Sequence, residues 1–210
     1  MKHVYRTTAA SAVLITAALG LAGCGDSDSG SMPGMNHSSS STPITPPTET
    51  KAAFNEADVS FASQMIPHHQ QAVQMASMAG YQATTPEVKK LATAIKAAQD
   101  PEIKLMSGWL TAWGKPVPSP NHGGHGMSEP MPGMMSEEEM SELSKAKGSM
   151  FDRMWIQQMI KHHQGAVAMA KTEQTNGKDP ASTALAKKIE TAQTAEIASM
   201  KRLLGQLPVS

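Results

Sequence analysis

Apolar residues in this chain recur at helical spacing. Leu91, Ile95, Ala98 and Glu102 fall on one stripe, as do Met65, His68, Ala72 and Met75. Steps of three and four residues put side chains on one helix face, so the pattern predicts helices rather than strands. Four helical stretches follow. The first runs from about Asn55 to Gly80, with Glu56 and Asp58 near its start. The second opens at Thr85-Pro86-Glu87, a capping residue followed by proline at the first helical position, and ends near Gly114. The third begins at Ser136, where Glu139 completes a capping-box pattern, breaks near Gly148 and continues to about Asn176 before Gly177. The fourth opens at Asp179-Pro180 and fades at Gly205.

The pattern is written twice. QMIPHHQQAVQMA (residues 64–76) returns as QMIKHHQGAVAMA (residues 158–170). Leu91, Ile95, Gln99, Glu102, Ile103, Met106 and Leu110 return as Leu185, Ile189, Gln193, Glu196, Ile197, Met200 and Leu204. The offset is constant: 162 − 68 = 94 and 196 − 102 = 94. The chain therefore divides into a repeat over 52–114, a Met/His-rich linker over 115–135 and a second repeat over 136–207. A lone helical hairpin leaves its apolar seam exposed, whereas two close into a four-helix bundle about a pseudo-twofold axis. Pro67 and Pro101 lack counterparts, since Lys161 and Ala195 stand in the second copy, so the symmetry is expected to be imperfect.

The N-terminus changes character. Lys2 and Arg6 precede the short apolar run AVLITAALGLAG, which reads as an export signal too short to span a bilayer. Leu21-Ala22-Gly23-Cys24 matches a bacterial lipobox, which predicts cleavage after residue 23 and a lipid on Cys24; the alternative is an ordinary signal with a chance cysteine. Cys24 is the single cysteine, so no disulfide is expected and metal ligands must be sought elsewhere. Residues 25–51, rich in Ser, Pro, Thr and Gly, read as a disordered tether. The predicted location is outside the cytoplasm, lipid-anchored to the bacterial cell membrane. Loss of Lys2 and Arg6 leaves a charge of 16 − 18 = −2, and aromatics make up 4%. With no basic stripe either, nucleic-acid binding is not expected.

Methionine alters the picture most: there are 17, against 3 phenylalanines. Core filling accounts for part of them. Helix geometry puts Met65, His68, Ala72 and Met75 on one seam, while adjacent His69 diverges by about 100°. One histidine of each pair then faces inward and the other lies at a helix boundary. A dyad would gather His68, His69, His162 and His163 with Glu102 and Glu196, and with the thioethers of Met65, Met75, Met106, Met159, Met169 and Met200. Imidazole with thioether suits copper, Cu(I) above all, and thiol-free zinc sites are less favoured. Absence of any Glu-x-x-His argues against di-iron chemistry. A metal-free His/Glu layer remains the alternative. Met32, Met35, His37, His122, His125, Met127, Met131, Met134 and Met135 lie on expected flexible backbone and form candidate weaker metal sites.

These phrases resemble a bacterial family called domain of unknown function 305. The resemblance rests on MIPHHQQAVQMA followed by L-x-x-x-I-x-x-x-Q-x-x-E-I-x-x-M, found at Leu91 to Met106, and covers roughly residues 53–206 in both halves. It implies an exported protein with a ferritin-like four-helix bundle, in a family some of whose members handle copper. The implied ligands are His68, His69, Met65, Met75, Glu102, Met106 and their second-half mates. The expected function is sequestration, tolerance or transfer of Cu(I) or Cu(II), with a possible copper-handling envelope partner and no catalysis. The competing readings are a structural or partner-binding envelope protein and, behind it, a copper oxidoreductase.

Overall fold

Each helix begins where the sequence supplies a device for it. The computed structural model describes residues 53–119 and 131–208. Its helices are α1 (Glu56–Gln82), α2 (Pro86–Ala112), α3 (Glu137–Lys145), α4 (Gly148–Asn176) and α5 (Pro180–Gln206). The described residues are all-α. Asn55 accepts hydrogen bonds from the Ala57 and Asp58 N–H groups, and Asp58 accepts from Asn55 N–H, closing a capping box on α1. Ser136 and Glu139 build the same box on α3. Pro86 and Pro180 occupy the first helical positions of α2 and α5.

The third predicted stretch is two helices. The chain leaves helical geometry at Ala146 and Lys147, and Gly148 opens α4 with φ +60°. Only glycine adopts that value without penalty. The short α3 then seals Leu143 into the core.

Two hairpins, α1–α2 and α4–α5, meet along α1 and α4. These two run antiparallel, because the start of α1 reaches the end of α4 and the reverse. Asp58 accepts hydrogen bonds from the backbone N–H groups of Lys178 and Asp179, which lead into α5. Asp152 accepts from the N–H and hydroxyl groups of Thr84 and Thr85, which lead into α2, at 2.6 to 3.1 Å for its shorter contacts. Asp58 and Asp152 are themselves 152 − 58 = 94 residues apart. Each hairpin thus fixes the turn of the other, and the pseudo-twofold axis expected from the repeat is drawn in hydrogen bonds.

The apolar interior has the same symmetry. One buried cluster holds Phe61, Met65, Met106 and Met169; the other holds Trp155, Met159, Met200 and Met75. Those four pairs are repeat mates. Full burial of a methionine stabilises by about 1.5–3 kcal/mol, so packing alone is a sufficient reason for several of them.

The linker expectation needs correction at its end. Met131, Met134 and Met135 do not lie on free backbone: residues 131–135 form a strap across α1 and α4. Gln71 donates to the Met135 carbonyl and accepts from its N–H, each at 2.8 Å, and the Met135 side chain is buried. Gly165, repeat mate of Gln71, lies beneath it, where a Cβ would overlap the Pro132 carbonyl. The strap fits only because the second copy has glycine there. Met32, Met35, His37, His122, His125, Met127, Cys24, the signal and the tether lie outside the described residues. Among the described residues, no helix is long and apolar enough to cross a membrane.

Candidate metal centre

At the crossing of α1 and α4 the two copies of the His-His phrase meet. His68 and His162 face each other across the pseudo-axis, ring centroids 3.8 Å apart and planes inclined at 43°. His69 and His163 turn back into their own hairpins. His69 Nε2 lies 2.9 Å from Glu102 Oε2, and His163 Nε2 lies 2.7 Å from Glu196 Oε2. All four rings are buried. The divergence follows from the 100° step between neighbours on a helix.

Partner chemistry fixes the tautomers. A carboxylate or a backbone carbonyl only accepts, so the nitrogen facing it must carry the hydrogen. Glu102 and Glu196 place that hydrogen on Nε2 of His69 and His163. The Pro132 carbonyl, 3.0 Å from His68 Nε2, does the same for His68. Nδ1 of each of these rings is buried without a partner among the described residues. His162 has no hydrogen bond at either nitrogen. Five buried imidazole nitrogens therefore await a partner in the described residues.

Electrostatics keep the rings of His68, His69 and His162 neutral. Burial, with His69 beside it, pushes the His68 pKa down to about 3. Burial holds His69 below the usual histidine value despite the Glu102 carboxylate. Burial and the neighbouring histidines hold His162 well below it. Neutral imidazole is the metal-binding form, and a carboxylate behind a ring nitrogen is the usual way of orienting such a ligand. Glu102 also lies 3.6 Å from the Lys188 ammonium. In this structure the Glu102 and Glu196 carboxylates face Nε2 of His69 and His163.

The thioethers bracket this layer. Met65 is three residues before His68 and Met159 three before His162, on the same faces. Met106 and Met169 pack in the Met65 cluster, and Met75 and Met200 in the Met159 cluster. The structure thus brings the histidines together at the axis and splits the six methionines into two groups of three. Among the described residues, no three His, Cys, Asp or Glu side chains form a ready cage. Binding at the axis would combine imidazole with thioether and require the His68–His162 pair to open.

Several contributors escape a reading by spacing. The Pro132 carbonyl and Gln71 act through the strap, and Asp58 and Asp152 through the opposite hairpin. Glu173 is buried beside Ser182, Asp58 and Asp179. Burial, eased by the Ser182 hydroxyl and reinforced by the Asp58 and Asp179 carboxylates, pushes its pKa up to about 7.

Known proteins share this fold. A DUF305 protein from Streptomyces coelicolor, described as secreted, is 34% identical with a TM-score of 0.65, over 71% of this chain and 93% of that one. CopM in its Cu(I)-bound form is 40% identical with a TM-score of 0.60, over 71% of this chain and 96% of that one. In its Cu(II)-bound form the values are 42% and 0.61, with the same coverage, and CopM has also been solved bound to Ag. No curated protein sequence matches the chain. The model of the family described as Domain of unknown function (DUF305) matches residues 58–204, spanning both hairpins and both His-His phrases, and the chain belongs to that family.

Proposed function

We propose that this chain is an extracytoplasmic copper-binding protein that holds the ion for sequestration, tolerance or transfer. The observation that carries the reading is the set of buried imidazoles with unpartnered nitrogens at the dyad, flanked by methionine. Leaving polar atoms unpaired in a Met/Leu/Ile core costs free energy, and a bound cation would offset that cost. His68 and His162 are the central ligands, with Nδ1 of His69 and His163 and the thioethers of Met65 and Met159 within the same layer. Met75, Met106, Met169 and Met200 supply the outer thioethers. CopM, which binds copper and silver in its solved forms, supports copper as the cargo. Lipid attachment at Cys24 would hold the bundle at the outer face of a membrane, and the secreted DUF305 relative supports export. Met32, Met35, His37, His122, His125 and Met127 would act as looser collecting ligands, able to pass copper to an envelope partner.

A metal-free reading rests on the His69–Glu102 and His163–Glu196 pairs, which would satisfy half the layer as an internal polar network. It leaves the His68–His162 contact unexplained. Competition titration of residues 25–210 with Cu(I), without oxygen, and with Cu(II), in air, separates the two. Replacing His68, His69, His162 and His163 by Gln retains a donor toward Glu102, Glu196 and Pro132. Loss of the tightest binding class in that folded variant is the expected result. Met65→Leu with Met159→Leu keeps volume and apolarity, and should weaken Cu(I) more than Cu(II). Undiminished tight binding in the folded quadruple variant contradicts the proposal.

A further inference from the structure

The pseudo-symmetry conceals a feature found in one half only. Beside the strap, between α1 and α4, lies a cavity of about 250 Å³ whose walls include Ala57, Ser60, Phe61, Met169, Thr172 and Glu173. In the other half the repeat mates are Phe151, Met154, Trp155, Met75, Met78 and Ala79. There, the larger side chains fill the space: Phe151 and Trp155 are fully buried, and Met78 and Met154 pack against the same cluster. Four positions on the cavity side are smaller than their mates, and the fifth exchanges a methyl group for a carboxyl group. Hollowing and acid occur together.

Glu173 is 1% exposed and lies beside Ser182 and Asp58, sharing its proton with the Asp58 carboxylate. Its mate Ala79 fills the equivalent place without a polar atom. The Asp58 and Asp179 carboxylates make the place attractive to a cation, which would displace the proton that Glu173 shares with Asp58. Met169 lies one turn before Glu173 on the same face of α4 and lines the same cavity. The thioether suits a soft monovalent cation, and the acid beside it contributes charge attraction rather than a matched soft donor. Met169 also shares its buried cluster with Met65, one turn from His68.

We propose that this cavity is an entry port for Cu(I), a second and weaker site formed by the Glu173 carboxylate and Met169 Sδ, from which the ion passes by way of Met65 to His68 and His162. The inference rests on the copper reading of the core. Passage is ligand exchange: each new donor bond replaces an older one, and the ion stays monovalent throughout. The outward donors are few and weak, so the ion is surrendered inward to imidazole.

The test measures speed apart from affinity. Cu(I) is delivered anaerobically from a bicinchoninate complex by stopped flow, and equilibrium affinity is taken by chelator competition on the same samples, with helicity checked by circular dichroism. Glu173→Gln removes the charge at constant shape. Ser60→Met with Thr172→Met copies the filled half. Both proteins should load about tenfold or more slowly than the parent while retaining its final affinity. Parental loading rates in both overturn the port. So does a matching loss of tight affinity in Glu173→Gln, since Glu173 would then belong to the core site. A second arm uses Ag(I) on the His68→Gln/His162→Gln protein, where a weak site should persist and vanish when Glu173→Gln is added. Persistence of that site without Glu173 also overturns the proposal. A parent with no histidine-dependent tight binding would contradict the function reading alone, because the silver arm reads the port independently.

Discussion

A single aspartate shows how one residue ties the halves together. Asp152 is fully buried and accepts from both Thr84 and Thr85, while Thr85 makes no side-chain cap of its own on α2. Hydrogen bonds to a charged group contribute about 1.5–3 kcal/mol each, and cutting one side strands the remaining donors. Asp152→Ala should therefore destabilise by roughly 2–4 kcal/mol in urea unfolding, against about 1 kcal/mol for Ser136→Ala at the exposed α3 cap. Burial raises the Asp152 carboxyl, but the hydrogen bonds from Thr85 and Thr84 outweigh it and hold the pKa below the ordinary 3.8. Asp58 is lowered likewise, burial being outweighed by the N–H groups of Asn55 and Asp179, the Glu173 carboxyl and the Lys178 N–H. A depressed folded pKa contributes stability above the unfolded value and loses it as pH falls through the folded one. Acid sensitivity from this pair thus lies below about pH 4, and Asp152→Asn should flatten the stability–pH curve there. The aspartates stand at the same offset of 94 as the histidines (152 − 58), so the signal was in the sequence. What was missing was the partner, because a carboxylate aimed at another hairpin's backbone leaves no spacing pattern. Glu173 left still less, since its mate is Ala79.

Helices carried their own evidence, and irregular segments did not. The cap at Ser136 and the prolines at 86 and 180 mark starts that the structure reproduces. Apolar periodicity alone does not separate α3 from α4, but Gly148 does: the break expected near it is where the chain leaves helical geometry. The strap was read as loop because Pro132-Gly133 has no period, and its order depends on Gly165 and Gln71 from distant helices. Gly165→Ala should dislodge it, because the new methyl overlaps the Pro132 carbonyl. Hydrogen exchange at residues 134–135 should then speed up while exchange in α2 stays slow; unchanged protection would mean that the strap is held by something else.

At the scale of the molecule, the repeat predicts dependence of each half on the other. The α1–α2 hairpin alone exposes Met65, Ile66, Ala72 and Met75, all fully buried in the whole. It also loses Asp152 from its turn. A fragment of residues 52–114 should aggregate, dimerise or stay partly unfolded, whereas 52–210 should unfold cooperatively; below about 70 residues a single core is marginal. A folded monomeric fragment in sedimentation and circular dichroism would break the two-hairpin argument.

The central claim is that the duplicated phrase builds one shared copper core. X-ray absorption at the copper edge, on residues 25–210 loaded with one equivalent of Cu(I), addresses it most directly. The account predicts imidazole back-scattering together with a thioether sulfur shell, the imidazole part disappearing in the folded His68→Gln/His162→Gln protein. A sulfur-only spectrum in the parent, or an imidazole signal unchanged in that variant, would contradict it.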